Sequence, residues 1–63
     1  MGDRPQNLPP DPAAGDAYEL FARGAALLDQ RHWAQAAISL EQAIKLEPGK
    51  TSILEALGRA YFH

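Results

Sequence analysis

The apolar positions of this chain fall into three blocks, each with helical spacing. Leu20, Phe21, Gly24, Leu27 and Leu28 recur at steps of three and four, the period that lines side chains along one helix face. Trp33, Ile38, Leu40, Ile44 and Leu46 do the same, with the small residues Ala36, Ala37 and Ala43 between them. A third block holds Ile53, Leu54, Leu57 and Tyr61. The pattern predicts an all-α chain of three helices, over about 16–30, 33–46 and 52–62.

The breaks between blocks carry stop and start signals. Asp16-x-x-Glu19 and Ser52-x-x-Glu55 read as capping boxes for the first and third helices, in which a side-chain oxygen takes up an otherwise orphaned amide. Asp11-Pro12 offers an earlier start to the first helix, since proline suits the first helical position. That longer helix includes Gly15, at a cost of about 1 kcal/mol against alanine, so Asp16 is the expected start, after an irregular turn. Arg31 and His32 make a short polar connection, and Pro48-Gly49 ends the second helix, because proline disfavours helical geometry before it and glycine permits positive φ. Glu41 precedes Lys45 by four residues, the favourable order for a surface ion pair.

The first and third blocks are copies. Displaced by 34 residues, Leu20 falls on Leu54, Ala22 on Ala56, Gly24 on Gly58 and Ala26 on Ala60, while Leu27 and Leu28 fall on Tyr61 and Phe62. A period of 34 is that of helix-turn-helix solenoids, whose units bury their apolar faces only by stacking on one another. The second copy stops partway.

Composition narrows the function. Four of the five prolines lie in residues 1–12, as Pro5, Pro9, Pro10 and Pro12. Proline lacks an amide hydrogen and fixes φ, so this stretch is expected to be a disordered leader, with folding back as a groove ligand the alternative. The remaining residues, 13–63, form one helical unit. The six basic and eight acidic residues are scattered and give a net charge of -2. Nucleic acid is therefore not an expected partner, for there is no basic stripe to neutralise phosphates. No apolar stretch approaches the ~20 residues that span a bilayer, and the start of the chain has no apolar signal region, so membrane insertion is not expected and a cytoplasmic location is. Twelve alanines and few lysines suit a GC-rich bacterial genome. Without cysteine there is neither a disulfide framework nor a zinc-thiolate site.

Residues 17–63 resemble the tetratricopeptide repeat (TPR) family. Leu20, Gly24 and Leu27 match the family's first-helix positions, Ala36, Leu40 and Ala43 those of the second helix, and Pro48 the closing proline. Leu54, Leu57, Gly58 and Tyr61 restart the pattern in register. The resemblance implies an antiparallel hairpin over about 17–50 followed by the first helix of a second repeat over 51–63. Gly24 and Ala36 then mark the close contact within the hairpin, and Ala43 the place where the third helix packs on the second. Two positions depart from the family: Arg23 stands in place of a leucine, and Arg31 in place of the glycine usual in the turn between helices. Arg23 suits the open end of an N-terminal unit, paired with Glu19.

In the family, first helices line a concave surface that holds extended peptides or partner helices. By resemblance, the candidate groove comprises Tyr18, Phe21, Ala25, Leu28 and Asp29 of the first repeat, with Ser52, Glu55, Arg59, Phe62 and His63 added by the second. Some members clamp the C-terminal carboxylates of heat-shock chaperones there with lysine and asparagine. Phe21 and Ala25 occupy those positions here, so an apolar partner is expected, with Arg59 the groove's one fixed cation. The apolar residues of the groove have a second reading, as core or oligomer packing.

Solenoid ends need a polar outer face, and the third helix lacks one. Ile53, Leu54, Leu57, Tyr61 and Phe62 are therefore a candidate self-association face, and a homo-oligomer is expected of the 63-residue chain. His32 and His63 have no ligand-spaced companions, and Ser39 and Ser52 no nucleophile motif. No catalytic residue, metal site or cofactor is expected. The expected function is a non-catalytic protein–protein interaction scaffold, as the N-terminal part of a longer TPR protein. The alternatives are a self-assembling structural module and the docking module of a larger enzyme.

Overall fold

The computed structural model describes residues 12–63. Three helices follow one another, α1 (Pro12–Asp29), α2 (Trp33–Leu46) and α3 (Thr51–Tyr61), and the described residues contain no strand. The fold is all-α. The expected proline-rich leader lies, but for Pro12, outside the described residues.

Helix α1 starts a turn earlier than Asp16. Pro12 opens it, with φ already set near the helical value and no amide to leave unpaired. Ala13 and Ala14 then extend it, offsetting the cost of Gly15. At the other end, the chain turns back through a Schellman motif. The His32 amide donates to Leu27 O and the Arg31 amide to Leu28 O, both at 2.9 Å. Arg31 takes the left-handed conformation this motif requires, with φ 64°, where glycine would fit without strain. The His32 carbonyl accepts from the Ala36 amide at 2.9 Å and begins α2.

Helix α3 also begins differently from its sequence signal. Lys50 is the N-cap residue and makes no side-chain capping bond. Thr51 and Ser52 are already helical, so the Ser52–Glu55 capping box is not formed. The turn before α3 is closed instead by backbone, Lys50 N–H to Glu47 O at 3.2 Å.

The core runs through all three helices. Leu28 from α1, Ala36, Leu40 and Ala43 from α2, and Ile53, Ala56, Leu57 and Ala60 from α3 form one buried cluster, with Leu20, Phe21, Leu27, Trp33, Ala37 and Ile44 packed around it. Leu40 is its keystone: it is fully buried and sits over Gly24. A Cβ on Gly24 would lie 2.5 Å from Leu40 Cγ and 2.6 Å from Leu40 Cδ2, far inside van der Waals contact. The absence of a side chain at Gly24 is what lets α1 and α2 meet around Leu40. Small residues in α2 complete the fit, since Ala36 and Ala43 are fully buried.

Helix α3 is tied to α2 at its far end. The Tyr61 hydroxyl donates to the Glu41 carboxylate, across 20 residues of sequence. The His63 imidazole stacks on Trp33 with ring centroids 4.4 Å apart and planes 9° apart. Its Nδ1 lies 2.9 Å from Ala60 O. His63, itself exposed, lies against Trp33 at one end of the helical stack.

Candidate functional site

Two surfaces emerge from this packing. The first is a cleft of about 320 Å³ between the N-terminal half of α1 and the start of α3, lined by Ala17, Tyr18, Phe21, Glu47, Lys50, Ser52 and Ile53. Its floor is apolar, with Ala17 and Ile53 both buried. Phe21 is half-buried, while Tyr18 is 71% exposed and stands along one edge. Ala17, Tyr18 and Phe21 share the cleft because helical residues three and four apart are neighbours on one face. The turn over 47–50 brings Glu47 and Lys50, one charge of each sign, to the opposite side.

The cleft gathers only part of the expected groove. Tyr18, Phe21 and Ser52 line it; Ala25, Leu28, Asp29, Glu55, Arg59, Phe62 and His63 are not among its lining residues. Leu28 is buried in the common core and is not a groove residue. The cation of the cleft is Lys50 and not Arg59. Ala17, Glu47, Lys50 and Ile53 were not expected there. The signal for the last three was the Pro48-Gly49 turn, which marks where α2 hands over to α3 but not which part of α1 that turn faces.

The second surface is the outer side of α3. Of the candidate self-association residues, Ile53 and Leu57 are buried within the chain, because they form the side of α3 that packs on α2. They are not available to a second molecule. Leu54 is 51% exposed, Tyr61 52% and Phe62 87%. Gly58 lies between Leu54 and Tyr61 on that side, and a Cβ built on it meets nothing within 4 Å.

Among the described residues, no three His, Asp or Glu side chains gather where they could hold a metal ion, and no helix is long and apolar enough to cross a membrane. Among the described residues, the phenol of Tyr61 is held above its ordinary value of 10.0, first by its hydrogen bond to Glu41, then by partial desolvation and the Glu41 charge. Compared with models of known families, with curated proteins and with solved structures, the chain matches none of them.

Proposed function

We propose that this chain is a non-catalytic interaction module of the tetratricopeptide type, which binds an extended segment of a partner protein through the α1/α3 cleft. The cleft carries this reading. It has an apolar floor, an exposed aromatic edge at Tyr18, and one charge of each sign across from it at Glu47 and Lys50. Its ~320 Å³ sits at the small end of ligand sites, a size for one or two apolar side chains rather than a cofactor. The opposed charges beside it suit a peptide backbone or a flanking polar residue. The 34-residue spacing and the Gly24–Leu40 contact support the repeat-type assignment.

Screening a library of short peptides bearing apolar side chains tests the proposal. Binders should lose affinity about tenfold or more on Tyr18→Ala, a loss of the size expected for an aromatic anchor. Because Tyr18 is mostly exposed, the melting temperature should hardly change. Phe21→Ala separates groove from core. Unchanged stability with lost binding supports the groove, whereas a large loss of stability without any peptide present assigns Phe21 to packing.

A further inference from the structure

The outer side of α3 is an apolar face for which the molecule supplies its own template. Leu54, Gly58, Tyr61 and Phe62 stand 34 residues after Leu20, Gly24, Leu27 and Leu28. In α1 those positions are covered: Gly24 and Leu28 are buried, and Leu20 and Leu27 half-buried, with Leu40 of α2 filling the space over the glycine. In α3 Leu54, Tyr61 and Phe62 are exposed, and a Cβ on the half-buried Gly58 would meet nothing within 4 Å. The face has the chemistry of a helix-docking surface, and its sequence is also self-complementary.

We infer that the outer face of α3 pairs with the same face of a second copy of this chain, antiparallel and about a two-fold axis beside Gly58. In that arrangement Gly58 meets Gly58 of the second copy, and the missing side chains let the helices approach closely. Leu54 then lies opposite the Tyr61–Phe62 end of the second copy, and its own Tyr61–Phe62 end opposite the other Leu54, as a two-fold interface demands. Charge agrees with the same register. Glu55 and Arg59 are both exposed, flank the stripe on one side and lie four residues apart. In an antiparallel pair the same flank of each helix meets, so Glu55 faces Arg59 of the second copy, twice by symmetry. A parallel two-fold pairing would instead set this flank of each helix against the opposite flank of the other, and no Glu55–Arg59 pair would form between the copies. Phe62 extends the apolar stripe beyond Tyr61, and the Tyr61–Glu41 hydrogen bond holds the tyrosine ring in place on the surface. The cleft between α1 and α3 is a separate surface and takes no part in this pairing.

Sedimentation and light scattering of the full chain over a micromolar to millimolar range test the inference, with circular dichroism to verify helicity. The wild-type chain should pass from monomer to dimer and no further. Leu54→Glu should leave helicity intact and abolish the dimer. Glu55→Arg and Arg59→Glu should each weaken association about tenfold, because each replaces two attractions by two repulsions. An equimolar mixture of those two variants should recover a heterodimer at wild-type affinity, since every Arg59 again meets an acidic residue and every introduced Arg an introduced Glu. A wild-type chain that stays monomeric throughout, a trimer or higher species, or a mixture no tighter than its separate components would each overturn the inference.

Discussion

Helices α1 and α3 carry the same motif and stand in opposite surroundings. In α3 the positions Ile53, Ala56, Leu57 and Ala60 are buried against the rest of the chain. Their counterparts in α1, Glu19, Ala22, Arg23 and Ala26, are all exposed. The other face shows the reverse. Gly24 is closed over by Leu40 while Gly58 has open space above it, and Leu28 is buried where Phe62 is 87% exposed. Each copy thus has a neighbour on one side only. The sequence has adjusted to that on one side and not on the other. Where α1 lacks a neighbour it carries Glu19 and Arg23 in place of isoleucine and leucine, which removes an apolar face from water. Where α3 lacks one it keeps Leu54, Tyr61 and Phe62. Leaving large apolar side chains in water forfeits roughly 25 cal/mol for each Å² that could be buried. That asymmetry separates a face made polar from one that stays apolar.

The most damaging way to break this contrast is Leu40→Ala, which would make Gly24 as open as Gly58. Removing a fully buried leucine costs about 2–5 kcal/mol, a large share of what a chain of 63 residues can hold. Thermal and urea melts should show the chain largely unfolded. A near-native melt would mean that Leu40 is not the contact on which α1 and α2 close. The paired glycine substitutions are subtler and differ in sign. Gly24→Ala gains about 1 kcal/mol of helix propensity but drives a methyl group into Leu40, an overpacking worth about 1–3 kcal/mol, so it should destabilise on balance. Gly58→Ala collects the propensity gain with nothing in the way and should raise the melting temperature of the monomer. Equal effects at the two sites would erase the distinction between them. Arg31→Gly should stabilise by about 0.5–1 kcal/mol, because it relieves a left-handed residue at the turn that presents Leu40 to Gly24. A lower urea midpoint would show that the arginine side chain contributes more than its backbone costs.

How much of this was legible in sequence depends on the range of the interaction. Helix α2 runs over Trp33–Leu46, the span expected from its spacing, because both its ends are set by local residues, Arg31-His32 and Pro48-Gly49. The start of α1 was less legible. Asp11-Pro12 and Asp16-x-x-Glu19 are both good local signals, and single-residue propensities of about 1 kcal/mol are too small to rank them. The start of α3 went astray for the same reason, with Ser52 inside the helix and Lys50 at its cap. The close approach at Gly24 could be foreseen from its lack of a side chain, but the residue that fills the space over it is Leu40 and not the expected Ala36. Tyr18 and Phe21 could be placed together from period alone. Their joining to Lys50 and Glu47 could not, because it depends on the angle at which α3 crosses α1, and no local pattern encodes that angle. The assignment of Leu28 to a groove failed similarly: an apolar residue at the edge of a stripe belongs to whichever neighbour lies nearer.

Tyr61 offers the finest test of the contrast, because it replaces Leu27 of the first copy. Leu27 packs against the core, whereas Tyr61 is 52% exposed and its hydroxyl donates to Glu41. A phenol suits such a position, with an apolar ring for contact and a polar tip that finds a partner. The hydrogen bond holds the Tyr61 phenol above its ordinary value of 10.0. Folding therefore favours the protonated form, and the stability this group contributes is present below pH 10.0 and lost as pH rises through the higher folded value. Above it, the phenolate can no longer donate and faces the Glu41 carboxylate as a like charge. Melting temperatures of the wild-type chain and of Tyr61→Phe, followed from neutral to strongly alkaline pH, should start slightly apart, with the wild type higher, and converge at the alkaline end. Lysine deprotonation lowers both curves and cancels in their difference. Parallel curves would mean that the bond from α3 to α2 does not persist in solution, and that the ring of Tyr61 is no more anchored than its exposed neighbour Phe62.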